Sequence, residues 1–244
     1  VTLDIIFQDE YLMVVNKPRG MVTHHGANIS SGTLEDLLGE YLKTPVADAT
    51  PPLQGEDAQR SCEARSLQKG EFSRSGIVHR LDKNTAGLLV VAKTAAVQEK
   101  LFEMMKNREI KRTYIGIVEG IIHSNGTINR NLIRSPRNRT KYITTMQGGR
   151  EAVTHYEVVK QYKKHTLVWF RLETGRTHQI RVHSKSIGHP LVGDLEYNPK
   201  SSIKMPGQML ESILIAFVHP FTKKQIEVEI KPTQIFVDCL NKLG

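Results

Sequence analysis

An α+β fold is predicted by this sequence from two observations. Strand-like segments follow one another in hairpin succession, and the helical segments set between them are few. A doubly wound sheet would instead alternate strand and helix along the whole chain. There is no internal repeat.

The elements follow in order. Tyr11 to Asn16 is an apolar run with strand character, ended by Lys17-Pro18-Arg19-Gly20. Thr33 is placed to cap a helix whose Leu34, Leu37, Leu38, Tyr41 and Leu42 recur at helical spacing. From 43 to 75 the periodicity vanishes into Pro, Gln, Ser, Glu and Ala, which predicts a long, mobile insertion. A strand is predicted at Leu88 to Ala92, then a helix capped by Thr94 with Val97, Leu101, Met104 and Met105 inward; the methionines read as core filling. Strands are predicted at Thr113 to Glu119, Thr127 to Leu132 and Lys141 to Thr145. Val153 to Tyr162 and Thr166 to Glu173 form a hairpin across Lys163-Lys164-His165. Thr177 to Ile187 reads as a helix capped by Thr177 and closed by Gly188. Late strands are predicted at Ile213 to Val218 and Gln225 to Ile230. Thr233 to Leu243 completes the chain as a helix carrying Ile235, Phe236, Cys239, Leu240 and Leu243.

Composition limits the function classes. The 244 residues, 39% hydrophobic and 24% charged, fit a globular protein, and a single domain over 1–244 is expected. The longest apolar run, Leu88 to Ala92, is far short of a membrane span, so no membrane partner is expected. Cys62 and Cys239 have no metal-type spacing, and without a signal pattern a cytoplasmic location with reduced thiols is expected. The chain begins with Val1 rather than Met, which suggests trimming upstream; no separate N-terminal RNA-binding domain is expected within it. A net charge of +9 calls for an acidic partner. The cations cluster at Lys106 to Arg112 and again at Arg130, Arg134, Arg137, Arg139 and Lys141; both groups are expected to meet phosphates.

Two segments carry chemistry. Gly76-Ile77-Val78-His79-Arg80-Leu81-Asp82-Lys83-Asn84 sets one carboxylate between two cations beside apolar runs, suited to holding an anion towards a substrate. An ordinary surface salt bridge is the plainer alternative. Thr174-Gly175-Arg176-Thr177-His178-Gln179-Ile180-Arg181-Val182-His183 puts cations on the first turns of a helix, where they oppose its dipole, so an anion should stand nearby. His178 and His183, about 140° apart around a helix, do not make a one-face zinc pair, and no metal is expected.

With Lys-Arg-Thr-Tyr at 111–114 and the turn-rich His189 to Asp194, these segments resemble the RluA-type pseudouridine synthases in order and spacing over nearly the whole chain. Arg139-Thr140-Lys141 followed by Ala152 to Tyr156 looks most like the RluD branch, whose substrates lie in large-subunit ribosomal RNA. The resemblance implies that family's fold, a mixed, largely antiparallel β-sheet core with flanking helices. It implies an isomerase converting uridine in RNA to pseudouridine, with ribosomal RNA ahead of transfer RNA as partner. A catalytically idle RNA-binding module of the same fold is the alternative, and a monomer is expected. By the same resemblance Asp82 is the catalytic aspartate, Tyr114 contacts the flipped uracil and Arg181 pairs with Asp82. Arg80 fills the space the base leaves. His79, Leu81, Arg176, Thr177, His178 and Gln179, with Arg137, Arg139 and Lys141, are expected to bind RNA. Glu211 stands where the family usually has His. The reaction moves the ring from its nitrogen to carbon 5 without redox change, so no cofactor is implied.

Overall fold

The computed structural model describes residues 2–26, 29, 31–43 and 74–243. Most of the insertion expected at 43–75, including Cys62, lies outside the described residues.

β1 (Ile5–Gln8) and β2 (Leu12–Lys17) form a hairpin closed by Asp9, whose carboxylate accepts the N–H of Tyr11 at 2.8 Å and of Leu12 at 2.9 Å. The sequence reading found β2 and missed the short β1. α1 (Leu34–Lys43) begins as expected at Thr33. Thr33 Oγ1 accepts Asp36 N at 3.2 Å, while Asp36 Oδ2 accepts Thr33 N at 2.9 Å, a reciprocal cap. β3 (Ala86–Ala92) is buried at every residue, as a strand covered on both faces must be. Thr94 caps α2 (Ala95–Lys106) by accepting Val97 N.

The remaining strands are β4 (Lys111–Glu119), β5 (Gly126–Asn129), β6 (Asn131–Arg134), β7 (Tyr142–Thr145), β8 (Val153–Gln161), β9 (His165–Leu172), β10 (Leu210–Val218) and β11 (Gln225–Glu229), with α3 (Gln179–Ser186) and α4 (Gln234–Asn241) among them. The described residues form a nine-stranded sheet in the order β1-β2-β3-β10-β4-β9-β8-β5, with β11 also on β10. Only the β3–β10 pairing is parallel, so the expected mixed, largely antiparallel α+β core is what forms. That parallel contact needs Gly87: at φ +116° a Cβ would stand 2.1 Å from Ser212 O.

Alternation along β2 and β3 feeds two apolar layers. Leu12, Val14, Leu88 and Val90 pack with Val97, Leu101 and Met104 of α2. Met13, Val15, Leu89 and Val91 pack with Leu34 and Leu38 of α1, Ile180 of α3, and Tyr114 and Phe170 of the sheet.

Three expectations need correction. Thr127 to Leu132 is not one strand: Arg130 breaks it, its N–H bonding Ala152 O and its Nη1 bonding Ser186 O, so β5 joins β8 while β6 pairs with β7. Thr177 does not cap α3; His178 takes the cap position with φ 57° and no side-chain cap bond. On α4, Phe236 and Cys239 face inward as expected, but Ile235 is 40% exposed.

Candidate active site

Asp82 sits on the loop leading into β3, and several side chains fix that loop. Thr23 Oγ1 donates to Leu81 O at 2.7 Å. Lys17 Nζ donates to Pro18 O, Met21 O and Lys83 O at 3.0, 2.8 and 3.3 Å. Arg19 donates to Asn84 O and to Gln208 O, and pairs with Glu211 at 3.1 Å. Glu211 also accepts the N–H and hydroxyl of Thr233, so the acid found where the family usually has His ties the loop's clamp to the cap of α4. None of Lys17, Arg19 or Glu211 stood out in the sequence as part of this support. Only the fold brings them together from two distant segments.

Arg181 reaches Asp82 from α3, with Nη1 donating to Asp82 Oδ2 at 3.1 Å. Its other donors are also engaged. Nε and Nη2 each donate to Asp194 at 2.8 Å, and Nη2 donates to Glu196 at 3.0 Å. The guanidinium lies 4.9 Å over the Tyr197 ring. Burial opposes its charge, but Asp194, Asp82 and Glu196 together raise its pKa above the ordinary arginine value. The anion demanded by a cationic helix start is thus this carboxylate cluster. The signal for Asp194 was that demand itself; the turn-rich segment around it carried none.

His178 stands beside the pair, with Nδ1 2.9 Å from Tyr197 OH and Nε2 3.9 Å from Asp82 Oδ1. Burial lowers its pKa despite the neighbouring acids, which favours the neutral ring. Tyr114 is 4% exposed, and burial raises its phenol pKa, so the hydroxyl stays protonated at neutral pH. Asp82, Tyr114 and Arg181 line one cleft of about 520 Å³, with Arg80, Arg176 and His178 also on its walls. Arg80 and Arg176 are exposed.

Of the other residues expected to bind RNA, His79, Leu81, Thr177 and Gln179 border the same cleft. His79 is buried, its Nε2 accepting Val90 N at 3.0 Å, and burial followed by the nearby Arg112 charge lowers its pKa to about 3. Leu81 is 3% exposed and belongs to the core. Gln179, also 3% exposed, uses its amide on Thr174, Arg176, Val153 and Thr154. All three border the cleft, with His79 Nε2, the Gln179 amide and the apolar surface of Leu81 already engaged by the protein. Thr177 is half-buried at the cleft. Arg137 and Arg139 are exposed on the β6–β7 loop, away from the cleft lining, while Lys141 donates to Glu196 O at 2.7 Å. Among the described residues no group of three or more His, Cys, Asp or Glu is arranged to hold a metal. No described helix is long and apolar enough to cross a membrane.

The sheet thus presents a paired carboxylate and a buried tyrosine in one cleft, the arrangement of an enzyme's active site. The sequence profile of RNA pseudouridylate synthases matches residues 11–186, and the chain belongs to that family. It is 40% identical to the uncharacterized RNA pseudouridine synthase YlyB of Bacillus subtilis (strain 168), over 99% of this chain and 73% of that protein. It is 36% identical to ribosomal large subunit pseudouridine synthase D of Salmonella typhimurium, over 100% of this chain and 71% of that protein. The human RNA pseudouridylate synthase domain containing 4 shares the fold, with a TM-score of 0.70 at 21% identity, covering 98% of this chain and 92% of that one.

Proposed function

We propose that this pseudouridine synthase isomerises uridine in large-subunit ribosomal RNA, with Asp82 as its catalytic carboxylate. The observation that carries the reading is the 3.1 Å hydrogen bond from Arg181 to Asp82 in a cleft walled by Tyr114. The relatives named for large-subunit ribosomal RNA favour that substrate over transfer RNA.

A uridine must leave its stack to reach such a carboxylate, which costs a few kcal/mol and calls for a fitted pocket. Tyr114 gives the flipped base a wall, and its hydroxyl oxygen can take the carbon 5 proton only as its own proton passes on to another acceptor. Arg80, exposed at the cleft, is the cation that would take the vacated place in the RNA. Arg181 fixes the carboxylate's direction whether Asp82 attacks the sugar or the base or takes the ribose 2′ proton. All three central residues come from one chain, which suits a monomer.

The test is to incubate the purified protein with unmodified large-subunit ribosomal RNA and with transfer RNA, then map pseudouridine at single-nucleotide resolution. New pseudouridine in the ribosomal RNA is expected. Conversion of transfer RNA alone would overturn the substrate assignment, and release of free base would overturn the isomerase reading.

A further inference from the structure

Arg112 is a cation inside the cleft with no ion-pair partner among the described residues. It lies two residues before Tyr114 on β4, so both side chains take the same side of the strand, and both line the cleft. It is 5% exposed. Among the described residues its Nε has no hydrogen-bond partner, and no carboxylate pairs with it. The acids of the cleft have other partners: Asp82 pairs with Arg181, and Glu151 and Glu173 pair with Arg108. A guanidinium withdrawn from water without a counter-charge destabilises the fold that holds it. Arg181 in the same cleft has three carboxylates; Arg112 has none.

The fold also leaves this guanidinium room. An added Cβ on Gly175 would stand 2.8 Å from Arg112 Nη1, so glycine at the turn before α3 is what lets the side chain lie where it does. Lys106 and Arg176, both exposed, line the same cleft, as does Arg108, whose charge is taken up by Glu151 and Glu173.

We propose that Arg112 is the phosphate-binding residue of this cleft, receiving a phosphate that joins the flipped uridine to its neighbour in the RNA. The proposal rests on the uridine reading for the base and adds the recognition of its backbone. The planar fork of arginine matches two phosphate oxygens, and the ligand would supply the missing negative charge. The unpaired charge is then a cost carried by the free protein and relieved on binding. The exposed cations of the β6–β7 loop differ, since water already solvates them.

The probe is uridine 3′,5′-bisphosphate, a single nucleotide carrying both flanking phosphates, compared with uridine by titration. The wild-type protein is expected to bind the bisphosphate about tenfold to a hundredfold more tightly than uridine, the range for a charge-assisted contact. Arg112→Met should reduce that preference by at least about tenfold while melting no lower than wild type. Gly175→Ala, which displaces the guanidinium and keeps its charge, should reduce it as well. A preference that survives Arg112→Met overturns the proposal, as does a large fall in melting temperature in that variant, which would make Arg112 structural. Turnover of ribosomal RNA by the wild type is measured separately. Its absence would overturn the functional reading, while the nucleotide preference still reports on Arg112.

Discussion

Arg181 grips Asp194 with two hydrogen bonds of 2.8 Å and reaches Asp82 with one of 3.1 Å. The bidentate partner is wholly buried, whereas the Asp82 side chain is 16% exposed. Asp194 therefore sets the position of the guanidinium, and the guanidinium in turn sets the direction of Asp82. Asp194 is held by its own turn, its Oδ1 accepting the N–H of Glu196 and of Tyr197 at 3.0 Å each.

Asp194→Asn should lower stability by about 3 kcal/mol, the low end for breaking a buried pair, because Asp82 and Glu196 still face the guanidinium. Its kcat should fall although Asp82 is untouched. Glu196→Gln, at a more exposed position, should cost under about 1 kcal/mol. Urea unfolding of both variants measures the contrast, and equal losses would remove Asp194 from the anchoring role.

Asp82→Asn should abolish pseudouridine formation and leave RNA affinity and melting temperature close to wild type. The isostere keeps the shape and loses the ionisable group. Turnover above about 1% of wild type in single-turnover assays would exclude Asp82 as the catalytic carboxylate.

Tyr114→Phe should keep RNA affinity within about threefold while the rate falls by about 10² to 10⁴, the usual contribution of a positioned proton donor or acceptor. The ring remains to support the base; the hydroxyl is lost. Weakened binding with an unchanged rate constant would contradict this division.

The buried His79 ring makes the protein acid-sensitive. Its pKa is about 3 in the fold against 6.5 for an unperturbed histidine. Between those values the unfolded chain binds the extra proton, so this stability is complete above pH 6.5 and is lost as pH falls towards 3. By pH 4 the loss from this group should reach about 3 kcal/mol. His79→Gln, which can still accept the Val90 N–H, should show a correspondingly smaller drop between pH 7 and pH 4. Parallel stability curves for the two proteins would contradict it.

RNA affinity should fall steeply with salt, since each phosphate contact adds about 0.7 to 0.9 to the slope of log affinity against log salt. Replacing both Arg137 and Arg139 with serine should lower that slope by about 1.5. A filter-binding series at several salt concentrations measures it, and an unchanged slope would take the β6–β7 loop out of the RNA interface.

The sequence by itself determined the elements whose signals are local. Thr33 and Thr94 cap helices because a short hydroxyl side chain satisfies nearby backbone N–H groups wherever the helix then packs. Leu88 to Ala92 makes a buried strand because the run is short and holds two valines, which favours strand over helix, and the order of the motifs carried the family and the Asp82–Arg181 pairing. Tertiary structure decided the rest, by choosing which polar atoms are left for a ligand. His79, Leu81 and Gln179 lie within the most informative motifs, yet the protein itself engages His79 Nε2, the Leu81 side chain and the Gln179 amide. Arg130 breaks a strand that local pattern reads as continuous, because its backbone and side chain find partners at Ala152 and Ser186. Asp194 and Glu196 acquire meaning only beside Arg181, and Arg112 only where no described carboxylate pairs with it. Hydrogen-bond partners distant in sequence are chosen by packing, and local periodicity holds no record of that choice.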